Sequence, residues 1–165
     1  MQIRTDRDAD RAIIRELIRS AFANQRFSNH REHEIVDRLR ADQAMSVSLC
    51  AELNNEILGY VACSPVEIDA KPSNWHGLGP LAVRPDNQRL GIGGRLMMVA
   101  IDRLTAAGAA GIVLLGEPAY YRRFGFSQCS TLTLPGVPAE YFMQRTISGV
   151  QPTGVVRYHD AFSAG

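Results

Sequence analysis

The sequence has few cysteines, almost no net charge and no long apolar run. Cys50, Cys63 and Cys129 are widely spaced and form no Cys-x-x-Cys pair, so neither a disulfide framework nor a zinc site is predicted. The formal net charge of +1 argues against broad nucleic-acid binding, although a few arginines can still form a local basic pocket. No stretch approaches the roughly 20 apolar residues that cross a bilayer, and charged residues follow Met1 closely. We therefore expect a cytoplasmic protein with no signal peptide, no metal, and no nucleic-acid or membrane partner.

The composition is otherwise ordinary for a folded chain. With 165 residues, of which 45% are hydrophobic and 21% are charged, the chain is long enough to bury a core without a disulfide or a metal. No repeat, low-complexity tract or linker divides it. The predicted organisation is one domain over residues 1–165.

Two common phosphate-binding patterns are missing, although a glycine cluster is present. Gly91, Gly93 and Gly94 begin a segment of helical periodicity after a short apolar strand. No Lys-Ser/Thr pair follows them, which excludes the Walker pattern, and the third glycine of the dinucleotide pattern is replaced by Leu96. Since each glycine costs a helix about 0.8–1 kcal/mol relative to alanine, the cluster needs a reason.

An anion site made of unshielded backbone amides at the start of a helix would explain these glycines. Without side chains, the free N–H groups of the first turn are open to a close approach, and the helix dipole favours an anion there. Arg84, Arg89 and Arg95 add positive charge around this position. The pattern therefore predicts a phosphate site, and a glycine turn that only packs a helix against a strand is the alternative.

Two motifs in order resemble the GNAT superfamily of N-acetyltransferases. Gln88-Arg-Leu-Gly-Ile-Gly93 is similar to its acyl-CoA pyrophosphate loop, and Tyr121-Arg-Arg-Phe-Gly-Phe126 is similar to its Tyr-x-x-x-Gly-Phe motif. Residues 78–85, 116–126 and 156–162 also resemble the YhbS-type branch of predicted acetyltransferases. The resemblance covers most of the chain from about Ser46, and the preceding residues only loosely. It implies an α/β (α+β) fold, the GNAT acyl-CoA N-acyltransferase fold, with a mixed central sheet of about six or seven strands flanked by helices on both faces.

The hydrophobic patterns predict an element order that fits such a sheet. Asn54-Asn55 indicates a tight turn between two strands, and Gly108 is a usual helix stop. The predicted strands cover residues 1–4, 46–53, 56–66, 75–83, 112–115, 141–147 and 155–158, and the predicted helices cover residues 8–22, 30–41, 92–107 and 118–124. A loop is predicted at residues 69–73.

The resemblance implies acetyl-CoA as the co-substrate and assigns residues to hold it. Backbone groups of Leu81 and Val83 would pair with the pantetheine arm, and the N–H groups from Arg89 to Arg95 would hold the pyrophosphate. Pro80 cannot donate to a sheet ladder, so we expect neighbouring strands to splay there and leave room for the thioester. The N–H near Leu81 would then donate to the oxyanion. The cofactor-binding candidates are Leu81, Ala82, Val83, Gln88, Arg89, Leu90, Gly91, Ile92, Gly93, Gly94, Arg95, Glu117 and Tyr120.

The resemblance also assigns the general acid but not the base. Tyr121 has the motif spacing, which favours it over Tyr120, and a phenol stays protonated at neutral pH. Several superfamily members carry a base glutamate on the strand before the glycine loop, and that position falls on Gly77. The catalytic candidates are Tyr121, His76 and Glu67, with Glu117 as a further acid near the cleft. His76 needs a bulge at Gly77 to point the right way. A water chain or an amine that arrives neutral is the alternative.

The predicted function is an acetyl-CoA-dependent N-acetyltransferase that works by direct attack of a primary amine in a ternary complex. A non-catalytic acyl-CoA-binding sensor or interaction module of the same fold is the alternative, and the missing glutamate favours it. The amine acceptor is unassigned among small amines, amino acids, antibiotics, peptide amino termini and protein lysines, and a homodimer is left open. If the family's acceptor side carries over, its candidates are Arg26, Phe27, His30, Glu32 and His33, and a solvated joint is the alternative for each.

Overall fold

The computed structural model describes residues 1–26 and 28–163. Four α-helices occur in these residues: α1 (Arg11–Phe22), α2 (Glu32–Ala41), α3 (Ile92–Ala106) and the short α4 (Pro118–Tyr121). The strands in the same residues are β1 (Gln2–Thr5), β2 (Val47–Leu53), β3 (Glu56–Ile68), β4 (Lys71–Val83), β5 (Gly111–Leu115), β6 (Ser127–Gln128), β7 (Leu132–Thr133), β8 (Phe142–Thr146) and β9 (Gly154–Arg157). No described helix combines the length and apolar character that a membrane crossing requires.

The strands form one mixed sheet. Its continuous order is β1-β2-β3-β4-β5-β8-β6, all antiparallel except the parallel pair β4 and β5. β9 pairs with the far end of β3 beyond β2, and β7 pairs with β9. The predicted mixed sheet is confirmed, with seven strands along the continuous path.

Helices cover both faces of the sheet, as their periodicity predicts. Ile14, Leu17 and Val36 of α1 and α2 pack with Tyr60 on one face. On the other face α3 packs through buried side chains that recur at helical spacing: Ile92, Leu96, Ala100 and Leu104, together with Met97 and Ile101. Cys63 is fully buried in this second core, as expected for a small apolar residue. Ile13 is apolar and adjacent to the buried Ile14, but it lies on the exposed side of α1.

The third strand of the meander is longer than its sequence indicates. The predicted loop at residues 69–73 is instead a tight turn at Asp69 and Ala70, both with positive φ, and β4 begins directly at Lys71. Pro72 is tolerated because it follows the hydrogen-bonded pair at the turn, so its nitrogen faces away from β3, on an edge where β5 pairs only with residues 75–77. The turn at Asn54 and Asn55 is confirmed, with φ of 51° and 64°.

Candidate active site

The parallel strands β4 and β5 separate in the middle of the sheet. Their ladder runs from Trp75 opposite Gly111 to Gly77 opposite Val113 and ends there, while β4 continues to Val83. A bulge in β4 comes directly after this point. Between Leu78 and Leu81, β4 contains one more residue than the segment of β3 that it pairs with. The splay predicted around Pro80 is therefore confirmed. Beyond Gly77 one edge of β4 faces an opening instead of a strand.

Backbone groups of Leu81 and Val83 point into this opening. The N–H of Arg84 donates to the carbonyl of Leu58 (2.8 Å), so these two residues form a hydrogen-bonded pair with β3. Because such pairs alternate along an antiparallel ladder, Ala82 bonds to β3, whereas Leu81 and Val83 direct their N–H and C=O groups the other way. The carbonyl of Val83 indeed accepts a bond from the side chain of Gln88 (3.1 Å). Leu81 and Val83 thus present an unpaired strand edge.

The glycine loop brings bare amides to the end of that edge. Gly91 is the N-cap of α3 with φ of 86°, a left-handed conformation that glycine adopts without strain. The N–H groups of Ile92, Gly93 and Gly94 have no acceptor within the described residues, and no side chain caps the helix. They form a row of donors at the positive end of the helix dipole.

Close packing holds this helix start against the sheet. A Cβ on Gly59 of β3 would lie 2.9 Å from Leu96 and 3.0 Å from Ile92, so glycine there lets the first turn of α3 press on the strand. A Cβ on Gly93 would lie 3.4 Å from the Tyr120 hydroxyl, and one on Gly94 would lie 3.4 Å from the Phe124 ring; both are close but tolerable contacts. Packing therefore requires glycine at residue 59 more than at 93 or 94, where the missing side chains leave the amides open.

The charge around the loop is positive. Arg89 and Arg95 are exposed and make no ion pair with any described residue, whereas Arg84 is paired with Glu56 (3.4 Å). The Arg123 guanidinium lies 4.7 Å from the centre of the Tyr120 ring. Leu90 is 70% exposed at the same loop. The loop thus combines free amides with unpaired guanidinium groups, which suits an anion.

Tyr121 is the last residue of α4, the short helix that follows β5. Its ring packs on the α3-side core and edge-on to Phe126, and a Cβ on Gly116 would lie only 2.1 Å from it. Gly116 is therefore required for this ring position. Burial, with a smaller contribution from Tyr120, raises the pKa of Tyr121 to about 12, so its phenol stays protonated. Glu117 caps α4, and its carbonyl accepts the N–H groups of both tyrosines, while its side chain is exposed.

The space beside Gly77, where the resemblance would place a base glutamate, is filled by other side chains. A Cβ on Gly77 would lie 3.0 Å from Cε2 of Tyr158 and 3.3 Å from Val66. Ser64 stands opposite Gly77 on β3 and shares its face. The Tyr158 hydroxyl and the Ser64 hydroxyl are both buried without a hydrogen-bond partner in the described part of the chain.

His76 points to the other face of the sheet. The register with β3 is regular from Gly77 to His76, so the bulge that would re-aim this histidine is not found between them. Its Nδ1 is instead joined to the Ser46 hydroxyl by a hydrogen bond of 2.9 Å. Burial lowers the pKa of His76, which keeps the imidazole neutral near pH 7.

Glu67 lines an open groove on the far side of Gly77. The groove has a volume of about 470 Å³ and is lined by residues 65–67, 72–73 and 157–160. Val66 and Tyr158 border both this groove and Gly77. Glu67 is opposite Arg157 in the sheet, but Arg157 pairs with Asp160 (2.9 Å) instead.

The candidates before and within α2 separate into surface and buried residues. Arg26 is exposed, and Glu32 accepts a hydrogen bond from the Ser28 hydroxyl at 2.6 Å. The exposed His30 ring bonds to the carbonyl of Phe22, at 3.0 Å. His33 is buried, and its Nδ1 has no partner in the described residues. Phe27 lies outside the described residues.

Comparison with known proteins identifies the family. The Acetyltransferase (GNAT) family matches residues 12–126, which include the glycine loop and the Tyr121 motif. The chain belongs to the GNAT family of acetyltransferases. The predicted family and fold are thereby confirmed.

Relatives of this GNAT chain cover most of its length. The uncharacterized N-acetyltransferase YhbS of Escherichia coli K12 is 33% identical over 152 residues, which is 87% of this chain and 90% of YhbS. The crystal structure of YhbS with CoA superposes with a TM-score of 0.88 at 32% identity, covering 98% of this chain and 91% of that one. A GNAT acetyltransferase from Brucella melitensis in complex with acetyl-CoA has a TM-score of 0.88 at 43% identity, covering 98% and 97%. The resemblance to the YhbS branch is confirmed.

The GNAT sequence motifs identify the glycine loop and Tyr121, but they do not reveal the hydroxyl pair beside Gly77. The Tyr158 ring reaches Gly77, which is opposite Ser64, because β9 returns to β3, a long-range pairing that no local pattern predicts. The described residues contain no group of three or more histidine, cysteine or acidic side chains arranged to hold a metal ion.

Proposed function

We propose that this protein is an acetyl-CoA-dependent N-acetyltransferase that acetylates a primary amine by direct attack in a ternary complex in the cytoplasm. One observation carries the proposal: the unpaired β4 edge at Leu81 and Val83 leads directly to the free amides of Ile92, Gly93 and Gly94. A ligand with an extended arm that ends in a diphosphate would match this arrangement. The strand edge offers donors and acceptors to the arm, and the amides of α3 offer donors to the diphosphate. The complexes of the YhbS and Brucella relatives with CoA and acetyl-CoA support the same ligand.

The acetyl donor, acetyl-CoA, would lie along the opening, held at its diphosphate by the amides of α3 and along its pantetheine arm by the edge of β4. Its diphosphate accepts hydrogen bonds from the first-turn amides and charge from Arg89 and Arg95. Its pantetheine amides pair with Leu81 and Val83 as an added strand would. The thioester then reaches the point beside Gly79 and Pro80 where β4 and β5 have separated. Gln88 and Leu90 belong to the same loop, and the Tyr120 hydroxyl lies beside Gly93, so these three are further contacts. Glu117 stays a predicted contact.

The reaction replaces a C–S bond with a C–N bond. The amine nitrogen attacks the thioester carbon, and the carbonyl oxygen becomes an oxyanion that the N–H of Leu81 stabilises. When the C–S bond breaks, the Tyr121 phenol donates its hydrogen bond to the leaving sulfur. The nitrogen loses one proton and the thiol gains one. Because a tyrosinate is more basic than a thiolate, a proton given by Tyr121 is returned to it quickly from the amine or solvent.

The amine must be neutral when it attacks. Deprotonating a lysine-like amine with a pKa of ~10.4 at pH 7 costs about 4.6 kcal/mol. No strand carboxylate stands at residue 77 to take the proton, His76 is directed toward Ser46, and Glu67 lines the groove instead. We therefore propose that the acceptor enters as the neutral amine, with water carrying its proton away.

A thiol-release assay tests this function. Acetyl-CoA is mixed with the protein and with separate primary amines representing small amines, amino acids, peptides with free amino termini, and lysine peptides. We expect amine-dependent release of CoA thiol and a matching acetylated product by mass spectrometry. Initial rates should give intersecting double-reciprocal lines, as a ternary complex requires. A covalent acetyl-enzyme would overturn the direct-attack mechanism.

The second candidate is a non-catalytic acyl-CoA sensor. Gly77 favours it, because the side chain that serves as the base in several family members is absent and the Tyr158 ring fills the space. Under this alternative acetyl-CoA binds as tightly but no amine in the panel accelerates thiol release. Binding measured beside turnover therefore separates the two functions.

A further inference from the structure

One face of the sheet carries two serine–tyrosine pairs that differ in hydrogen bonding: the hydroxyls of one pair are bonded to each other, and those of the other pair have no partner in the described residues. The Ser48 and Tyr60 hydroxyls are joined by a hydrogen bond of 2.7 Å. Farther along β3 on the same face, Ser64 is fully buried, and neither its hydroxyl nor that of Tyr158 has a partner among the residues described. Since a buried hydroxyl without a partner is costly, the second pair calls for a ligand that completes it.

The second pair lies where the strands separate. Ser64 stands opposite Gly77, and the Tyr158 ring covers Gly77, with Cζ 3.2 Å from the position of an added Cβ. Gly77 is also the last residue of β4 that pairs with β5. Ser64 and the Tyr158 ring therefore lie beside Gly77, at the inner end of the opening and on the face away from α3.

The open groove reaches this point from outside. Val66 and Tyr158 line the groove of about 470 Å³ and also contact the site at Gly77. The glycine loop lies at the start of α3, which packs on the opposite face. A molecule in the groove and a donor along β4 would thus approach the same point from different sides.

This inference rests on the proposed function. We propose that the hydroxyls of Tyr158 and Ser64 hold the neutral primary amine of the acceptor beside the thioester, and that the acceptor enters through this groove. A neutral amine has two N–H donors and one lone pair. The two hydroxyl oxygens accept the two N–H bonds and leave the lone pair free to attack the thioester carbon.

The chemistry of the pair favours the neutral amine over the ammonium ion. An ammonium group has no lone pair to attack with, and its charge would have to leave water for a site with no carboxylate at residue 77. Burial raises the pKa of Tyr158 far above its usual range, so the phenol accepts a hydrogen bond without serving as a tyrosinate base. Glu67, without an ion pair within the described residues, lines the groove that the amine crosses.

The test compares the two pairs in the intact protein. Tyr158→Phe and Ser64→Ala remove the unpartnered hydroxyls, and Tyr60→Phe and Ser48→Ala remove the bonded ones as matched controls. For Tyr158→Phe we expect kcat/KM for the amine to fall at least about tenfold, with the KM for acetyl-CoA within about twofold of wild type. The apo melting temperature of Tyr158→Phe and Ser64→Ala should stay equal or rise. The controls should melt lower and keep kcat/KM for the amine.

Each other outcome overturns the inference in a distinguishable way. If both Tyr158→Phe and Ser64→Ala keep kcat/KM for the amine within about twofold, the hydroxyls do not hold the acceptor. If either variant melts lower and loses activity with both substrates in proportion, the pair is structural. If wild-type protein binds acetyl-CoA but acetylates no amine in the panel, the proposed function fails and this inference fails with it.

Discussion

At the scale of single residues, Tyr121 is the side chain that we propose as the general acid for the leaving sulfur. We predict that Tyr121→Phe lowers kcat by about 100-fold, within the range for general acids, while the KM for acetyl-CoA changes by less than about twofold. The ring itself is preserved, so its packing beside Gly116 is kept. Because the pKa of Tyr121 is raised to about 12, wild-type kcat should show no loss from ionisation of this phenol below about pH 11. Steady-state kinetics from pH 6 to pH 10 measure both.

Tyr120 offers a matched control for this prediction. It is also a phenol and is adjacent in sequence, but its hydroxyl lies beside Gly93 in the glycine loop. Tyr120→Phe should therefore leave kcat within about twofold and raise the KM for acetyl-CoA if it changes anything. A kcat for Tyr121→Phe equal to that of Tyr120→Phe would remove the assigned role.

The positions of single residues were predictable where a motif fixes the spacing, while their roles stay predictions. The Tyr-x-x-x-Gly-Phe spacing separates Tyr121 from Tyr120, and the loop pattern places Gly91 where positive φ is needed. Sequence alone showed that Gly77 lacks a carboxylate, but it could not show which side chain fills the space. That side chain is Tyr158, which arrives through tertiary pairing of β9 with β3.

At the scale of elements, the glycines at the start of α3 lower the stability of the helix but leave its first-turn amides accessible. We predict that Gly93→Ala raises the apo melting temperature by about 2–4 °C, because alanine favours a helix by about 1 kcal/mol over glycine. The new methyl would lie at tolerable distances from Tyr120 and Val83. It would also stand among the free amides, so we expect the Kd for CoA to rise about tenfold. Thermal melts and calorimetry measure the two effects.

Gly93→Ala is expected to raise the melting temperature while it weakens CoA binding, so a loss of binding could not be attributed to a less stable fold. Asp102→Ala lies farther along α3 at an exposed position and should also stabilise the helix, with no change in the Kd for CoA. If Gly93→Ala binds CoA as tightly as Asp102→Ala does, the glycines serve packing alone.

Element boundaries were predictable where periodicity or turn chemistry is strong. The Asn54-Asn55 hairpin and the buried face of α3 follow from local signals. The start of β4 was missed because Pro72 and Ser73 are typical of loops, and because alanine at residue 70 rarely adopts the positive φ of a tight turn. The two-residue strands β6 and β7 carry too little pattern to detect; long-range pairing defines them.

At the scale of the whole molecule, a buried ion cluster joins the first strand to the rest. Arg4 of β1 contacts Asp10 before α1 (2.8 Å) and Glu52 of β2 (2.7 Å). The hydrogen bond from Arg4 holds the pKa of Asp10 below its usual value. Because this pKa is lower in the folded state, the stabilisation is present above the unfolded pKa of about 3.9 and is lost as pH falls through the folded value.

We predict that Asp10→Asn lowers stability at pH 7 by roughly 3 kcal/mol, or about 6–12 °C in melting temperature. The difference from wild type should begin to shrink as pH falls toward about 4, where Asp10 of the unfolded chain takes up a proton, and should disappear only below the lowered pKa of the folded state. Asp8→Asn is the control, because that exposed carboxylate should change the melting temperature little at any pH. A difference that stays constant with pH would mean that the charge of Asp10 contributes nothing.

The melting temperature of the whole fold should rise when CoA binds, and this rise should depend on the diphosphate of CoA. A ligand selective for the folded state at 100 times its Kd stabilises by about 2.7 kcal/mol, which is roughly 5–10 °C for a domain of this size. We predict such a shift with CoA and with acetyl-CoA. Pantetheine carries the arm that would pair with Leu81 and Val83 but lacks the diphosphate, so it should give a much smaller shift at equal concentration. Equal shifts with CoA and pantetheine would show that the strand edge binds and the amides of α3 do not. No shift with either at millimolar concentration would remove the basis for the enzyme assignment.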